Sequence, residues 1–106
     1  MNLKERIIKL HKIMADDKVI KQITHKTIYI KLYNYKIKDS GTNESNIKAF
    51  DSTDNLLWIA ENCSSGHYYE MQIDEENDFL EANDGGAMFY EIDINTGKII
   101  REGMRK

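Results

Sequence analysis

Few side chains in this 106-residue chain are of kinds that do chemistry on their own. The three histidines, His11, His25 and His67, fall in different predicted elements, without the spacing that metal ligation requires. The single cysteine, Cys63, lies in N-C-S-S-G, a turn pattern. His67 is the nearest base that could activate it, and one Cys with one His four residues away is a weak nucleophile signal. The chain has no glycine-rich phosphate loop, nucleophile elbow or zinc motif. The turn D-S-T-D-N at residues 51–55 offers oxygens but lacks the spacing and closing Glu of a calcium loop. The expectation is therefore a protein that is not an enzyme, with no catalytic residue, metal or cofactor.

Carboxylates are the abundant group, and their distribution suits recognition rather than bond breaking. Residues 49–97 contain no Lys or Arg and twelve acids: Asp51, Asp54, Glu61, Glu70, Asp74, Glu75, Glu76, Asp78, Glu81, Asp84, Glu91 and Asp93. The net charge of -3 hides this asymmetry, because residues 1–48 hold eleven Lys/Arg against five Asp/Glu, and residues 49–106 four against thirteen. Opposite-signed halves fit either an electrostatically guided partner or two halves that lie side by side and neutralise one another.

The elements that must position these groups form one domain spanning residues 1–106. An apolar fraction of 41% with 31% charged residues describes an ordinary globular chain. One cysteine cannot form an internal disulfide, which suits a reducing compartment. The longest apolar run is five residues, 56–60, far below a membrane span, and the charged N-terminus has no signal-peptide pattern. A cytoplasmic location without membrane contact is expected.

Leu3, Ile7, Leu10 and Met14 recur at helical spacing, which predicts a helix over residues 1–16. From Val19 the period changes to two, and two β-meanders are expected over residues 19–60 and 67–104. The fold class is mainly β (α+β): an N-terminal helix, then about eight antiparallel strands as two four-stranded meanders. Residues 38–46, KDSGTNESN, form the longest loop signal. In residues 67–74 the alternation puts Tyr69, Met71 and Ile73 on one face, and Tyr68, Glu70 and Gln72 on the other.

The β region repeats. Phe50-Asp51, three residues, then N-L-L-W corresponds to Ile92-Asp93, three residues, then G-K-I-I, offset by 42 residues. The pattern N-I-x-A-F-D-x-x-D-N-L-L-W, then Y-x-M-x-I, then F-Y-E-I-D-I-N-T-G-K-I-I resembles quinoprotein-type β-propeller blade motifs. Closer still is its similarity to small bacterial immunity proteins of contact-dependent growth inhibition and related polymorphic toxin systems. Two blades cannot ring a cofactor, so quinone binding is not carried over. The resemblance implies an immunity protein that binds and neutralises a cognate secreted toxin, a protein partner expected to be a basic nuclease.

The surface expected to meet that toxin comprises Glu70, Asp74, Glu75, Glu76, Asp78, Glu81 and Asp84, with Tyr68 and Tyr69 as aromatic anchors. Trp58 is read first as core. The alternative function is a nucleic-acid-binding module on the basic Tyr/Lys sheet face of the N-terminal half, built from Tyr29, Lys31 and Tyr33 with Lys36 and Lys38. Phosphate repulsion from the acidic half argues against nucleic acid as a partner. Exposed sheet edges leave the oligomeric state open.

Overall fold

The computed structural model describes residues 18–34, 45–63 and 67–104. The helix expected over residues 1–16 and most of the loop at residues 38–46 lie outside the described residues. The eight expected strands are all present: β1 (Val19–His25), β2 (Ile28–Tyr33), β3 (Ile47–Phe50), β4 (Leu56–Ile59), β5 (Glu70–Asp74), β6 (Phe79–Asn83), β7 (Met88–Asp93) and β8 (Ile99–Met104). They form two antiparallel four-stranded meanders, β1-β2-β3-β4 and β5-β6-β7-β8.

Alternation along each strand sorts side chains to two faces. In the first sheet the cross-strand row Ile23–Ile30–Ala49–Trp58 points inward. In the second, Ile73–Leu80–Ile92–Ile99 does the same, and both rows join a single apolar core. The neighbouring rows point outward: Gln22–Lys31–Lys48–Ile59 and Gln72–Glu81–Glu91–Arg101.

The turns follow from residues that tolerate positive φ. Lys26 (φ 56°), Asp54 (φ 66°) and Asp78 (φ 55°) adopt the left-handed region in three hairpin connections. Gly97 (φ 76°) does so in the last, where a Cβ would also lie 2.6 Å from Trp58 Cε3. Asp51 and Asp93 open the two equivalent turns of the repeat. Asp51 Oδ1 accepts from the Thr53 and Asn55 N–H groups, both at 2.9 Å, and Asp93 Oδ1 accepts from Asn95 N–H at 2.7 Å.

The two sheets stack in the same sense. Asp51 N–H donates to Asn55 O at 2.9 Å, and Asp93 N–H donates to Lys98 O at 2.9 Å, so the second turn is one residue longer. A bulge precedes each turn at matching positions, Ala49/Phe50 and Glu91/Ile92. Equal hydrogen-bond phase and L-chirality then make Ala49 and Glu91 point to the same face of their own sheets. Ala49 faces the core, whereas Glu91 lies on the strand face opposite Tyr90 and Ile92, turned away from it. The face that the first sheet turns inward is thus the face that the second turns outward. The sheets lie one behind the other, the same way round, with β1 and β5 side by side. Lys21 Nζ bonds Met71 O at 2.7 Å on that seam, and His25 Nε2 lies 2.9 Å from Asp78 Oδ1 further along it.

Candidate partner-binding site

The expected acidic surface falls on the β5–β6 hairpin, and the register divides it into two ends. Asp74 pairs with Phe79 at the tip, and Glu70 pairs with Asn83 at the base. Four residues of extended chain separate them, about 13 Å. Asp74, Glu75 and Glu76 share the tip with Asp78. Tyr69, Glu70 and Asp84 share the base, where the Tyr69 N–H donates to Asn83 O at 2.7 Å. Glu81 lies between, on the outward row beside Gln72, whose Nε2 donates to Glu81 Oε1 at 3.3 Å.

Two of these carboxylates are occupied by the basic first half. Lys21 Nζ contacts Glu70 Oε1 at 2.9 Å, and that contact is the main reason the Glu70 carboxyl is held below its ordinary range. His25, with a side chain only 9% exposed, bonds Asp78 Oδ1, while Lys26 Nζ lies 3.3 Å from Asp78 Oδ2. His25 first and Lys26 second lower the Asp78 carboxyl. The Asp78 contacts join the tip of the β1–β2 hairpin to the tip of β5–β6, and Lys21–Glu70 joins β1 to the hairpin base, so part of the charge asymmetry is neutralised within the chain. Glu70 and Asp78, both expected on the partner surface, make inter-sheet contacts within the chain.

Tyr68 requires a correction. The expected alternation put it on the face of Glu70 and Gln72, and Tyr69 on the face of Met71 and Ile73, with both as partner anchors, but Tyr68 is 1% exposed and Tyr69 is 67% exposed. The β5 ladder begins only at Glu70, so the period-two pattern does not extend back to either tyrosine. The Tyr68 N–H donates to Asn46 Oδ1 at 2.8 Å, and Asn46 Nδ2 donates back to Tyr68 O at 2.8 Å. Its ring meets Tyr90 edge-on at 5.6 Å, and its hydroxyl donates to Glu61 O at 2.6 Å. Burial, helped by nearby Cys63 and Tyr90, pushes the Tyr68 phenol up, so it stays neutral and serves the core. Tyr69 remains as an exposed aromatic. Trp58 is a core residue, 7% exposed, whose Nε1–H donates to Ile94 O at 2.7 Å.

What remains open to a partner is the side of the tip that carries Asp74, Glu75 and Glu76. Gln72, Ile73, Asp74, Glu75, Glu76 and Glu81 line a shallow, open depression there. Asp74 caps its own turn, accepting from Asn77 N–H and Nδ2, both at 3.1 Å. No cation among the described residues pairs with Asp74, Glu75 or Glu76. Nor do the described residues contain a cluster of His, Cys, Asp or Glu able to hold a metal ion. No helix among them is long and apolar enough to cross a membrane.

The basic face of the first sheet is a different kind of surface. Lys31 Nζ stands 4.8 Å over the Phe50 ring and 3.8 Å from Asp54 Oδ1, and Lys48 Nζ stands 5.4 Å over the Tyr33 ring. Its lysines lie on the chain's own aromatic rings, the rings a stacked base would need. Lys36 and Lys38 lie outside the described residues.

One family covers nearly the whole chain. The family described as Domain of unknown function (DUF7957) matches residues 2–104. The chain belongs to that family. No curated protein and no solved structure matches it.

Proposed function

We propose that this member of the family is an immunity protein, which binds a basic toxin domain and blocks it without doing chemistry. The observation that carries this reading is the acidic depression at the β5–β6 tip, flanked by Asp74, Glu75 and Glu76, which no described cation neutralises. A concentrated negative field on a rigid hairpin speeds encounter with a basic partner and fixes its orientation. The depression supplies shape, and Ile73 and the nearby side-chain stems supply apolar contact. Glu70 and Asp78 act behind this surface by holding the hairpin against the first sheet. The support for a toxin as the partner is the resemblance of the repeat motifs to immunity proteins.

The test pairs the protein with the toxin domain encoded beside its gene. Co-expression should protect cells, and absence of protection from every such toxin would sink the immunity reading. With a protective pair in hand, Asp74→Asn with Glu75→Gln and Glu76→Gln should slow association by about tenfold at low salt. An unchanged on-rate would place the interface elsewhere.

A further inference from the structure

We infer that the outer face of the first sheet is the docking surface for the chain's own residues 1–16, laid across it as an amphipathic helix. The inference begins with the repeat. Phe50 and Ile92 are equivalent, and the ladders on either side carry that equivalence across each sheet. The row Thr24–Tyr29–Phe50–Leu56 of the first sheet is thus the counterpart of Ile73–Leu80–Ile92–Ile99 in the second. In the second sheet that row is core, because the first sheet lies over it. In the first sheet it faces away from the second, and none of its members joins the core. Like units stacked in one sense need a cap wherever an apolar face is left at the end of the stack.

The face has the composition of one that is covered. Tyr29, Tyr33, Phe50 and Ile59 lie on it half-buried, with Leu56 at its β4 edge. The charged groups at its middle are Lys31 and Lys48, which stand opposite each other across β2 and β3. Both are folded over rings, Lys31 Nζ at 4.8 Å from the Phe50 centroid and Lys48 Nζ at 5.4 Å from that of Tyr33. Their stems add apolar area to the face instead of interrupting it. The outward row of the second sheet, Gln72–Glu81–Glu91–Arg101, is polar throughout and suits water.

The chain itself supplies the occupant. Residues 1–16 lie outside the described residues, but Leu3, Ile7, Leu10 and Met14 fall at spacings of four, three and four, with Lys4, Glu5, Lys9 and Lys12 off that stripe. A helix of this length is marginal alone in water and draws its stability from packing its apolar side. The described chain starts beside the open face: Asn34 N–H donates to Lys18 O at 2.7 Å, and Val19 stands opposite Tyr33. Asp17 alone separates the segment from Lys18. The inward side of β1 is taken by β5, where Lys21 Nζ bonds Met71 O, so the outward side is the one left to cover. Sixteen helical residues span about 24 Å, and the six residues of β2 about 20 Å, so a helix turned back over the sheet covers the face from end to end. Its docking withholds the Tyr29, Tyr33 and Phe50 rings from any stacked base. The inference stands apart from the toxin reading, because it uses no residue of the acidic tip.

Methyl NMR on the full chain, labelled at Ile, Leu and Met, tests it. Cross-peaks should join the Ile7, Leu10 and Met14 methyls to ring protons of Tyr29, Tyr33 and Phe50. In a mixture of labelled and unlabelled chains, none of these should pass between copies. Ile7→Asp combined with Leu10→Asp should abolish the cross-peaks and shift all three ring resonances, whereas Lys9→Asp, off the stripe, should leave both unchanged. Far-ultraviolet ellipticity separates a lost cap from a lost fold, and if the double variant unfolds, the cross-peaks of the unsubstituted chain still decide. Methyls that contact none of the three rings overturn the inference. So do cross-peaks found only between copies, which would make a second chain the cover. Salt-sensitive binding of a single-stranded oligonucleotide that moves the Tyr29, Tyr33 and Phe50 resonances of the unsubstituted chain would also overturn it, since those rings would then be open.

Discussion

Asn46 has no obvious role in the sequence, yet its side-chain amide makes three hydrogen bonds. Its amide nitrogen donates to Tyr33 O at 2.9 Å and to Tyr68 O at 2.8 Å, while its oxygen accepts from the Tyr68 N–H at 2.8 Å. One 7% exposed side chain therefore ties the end of β2 to the residue that leads into the second sheet. Asn46→Ala strands buried backbone groups on both sides and should cost about 1–3 kcal/mol of unfolding free energy. Urea titration checks it, and a loss within a few tenths of a kcal/mol would show that solvent replaces the amide freely. Asn46→Asp should also destabilise, because a carboxylate cannot donate to either carbonyl. Sequence reading missed Asn46 because it sits at the end of a polar loop pattern, and a loop asparagine that staples two sheets has the same local signature as one facing water.

At the scale of elements, the β5–β6 hairpin has a structural seam and a free tip. Asp78 and Glu70 both titrate below their ordinary ranges, through His25 and Lys26 in one case and Lys21 in the other. A carboxyl depressed in the folded state contributes stability that is fully present above its unfolded value, near 4, and is lost as pH falls through the lower folded value. The melting temperature should therefore hold from about pH 7 down to about pH 5 and drop below about pH 4. Asp78→Asn combined with Glu70→Gln should flatten that acid limb, and an unaltered limb would place the acid sensitivity elsewhere. Both pairs are solvent-exposed on at least one side, so each adds little on its own, and the seam works through their combination.

The strands themselves were legible in the sequence. Period-two alternation bounded by turn residues located all eight, because an amphipathic strand carries its own facing in its side chains. The facing failed at Tyr68 and Tyr69, just outside the ladder, where backbone bonding to Asn46 replaces the strand rule. The acidic residues were legible as a group, but not which of them the basic half would occupy. That depends on β1 lying beside β5, a pairing between elements some fifty residues apart that leaves no local trace.

At the scale of the whole molecule, the repeat matters more than either sheet. The 42-residue offset identified Asp51 and Asp93 as equivalents, and both hold their own turns. It could not show that equivalent residues face opposite ways relative to the core, since Ala49 is buried inside while Glu91 lies outward. That reversal is what leaves two unlike outer faces, one carrying Lys31 and Lys48, the other Glu81 and Glu91. A chain built from two like units thus becomes polar along its stacking direction.

The lone indole gives this architecture an optical readout. Trp58 belongs to the first sheet, but its ring rests on Gly97 and its N–H is bonded to Ile94, both in the β7–β8 turn of the second. Its emission therefore reports whether the sheets are docked, while far-ultraviolet ellipticity reports whether the strands are paired. In a denaturant series the two signals should coincide if the sheets fold as one cooperative unit. A red shift that precedes the loss of ellipticity would reveal a state in which both meanders persist but have parted.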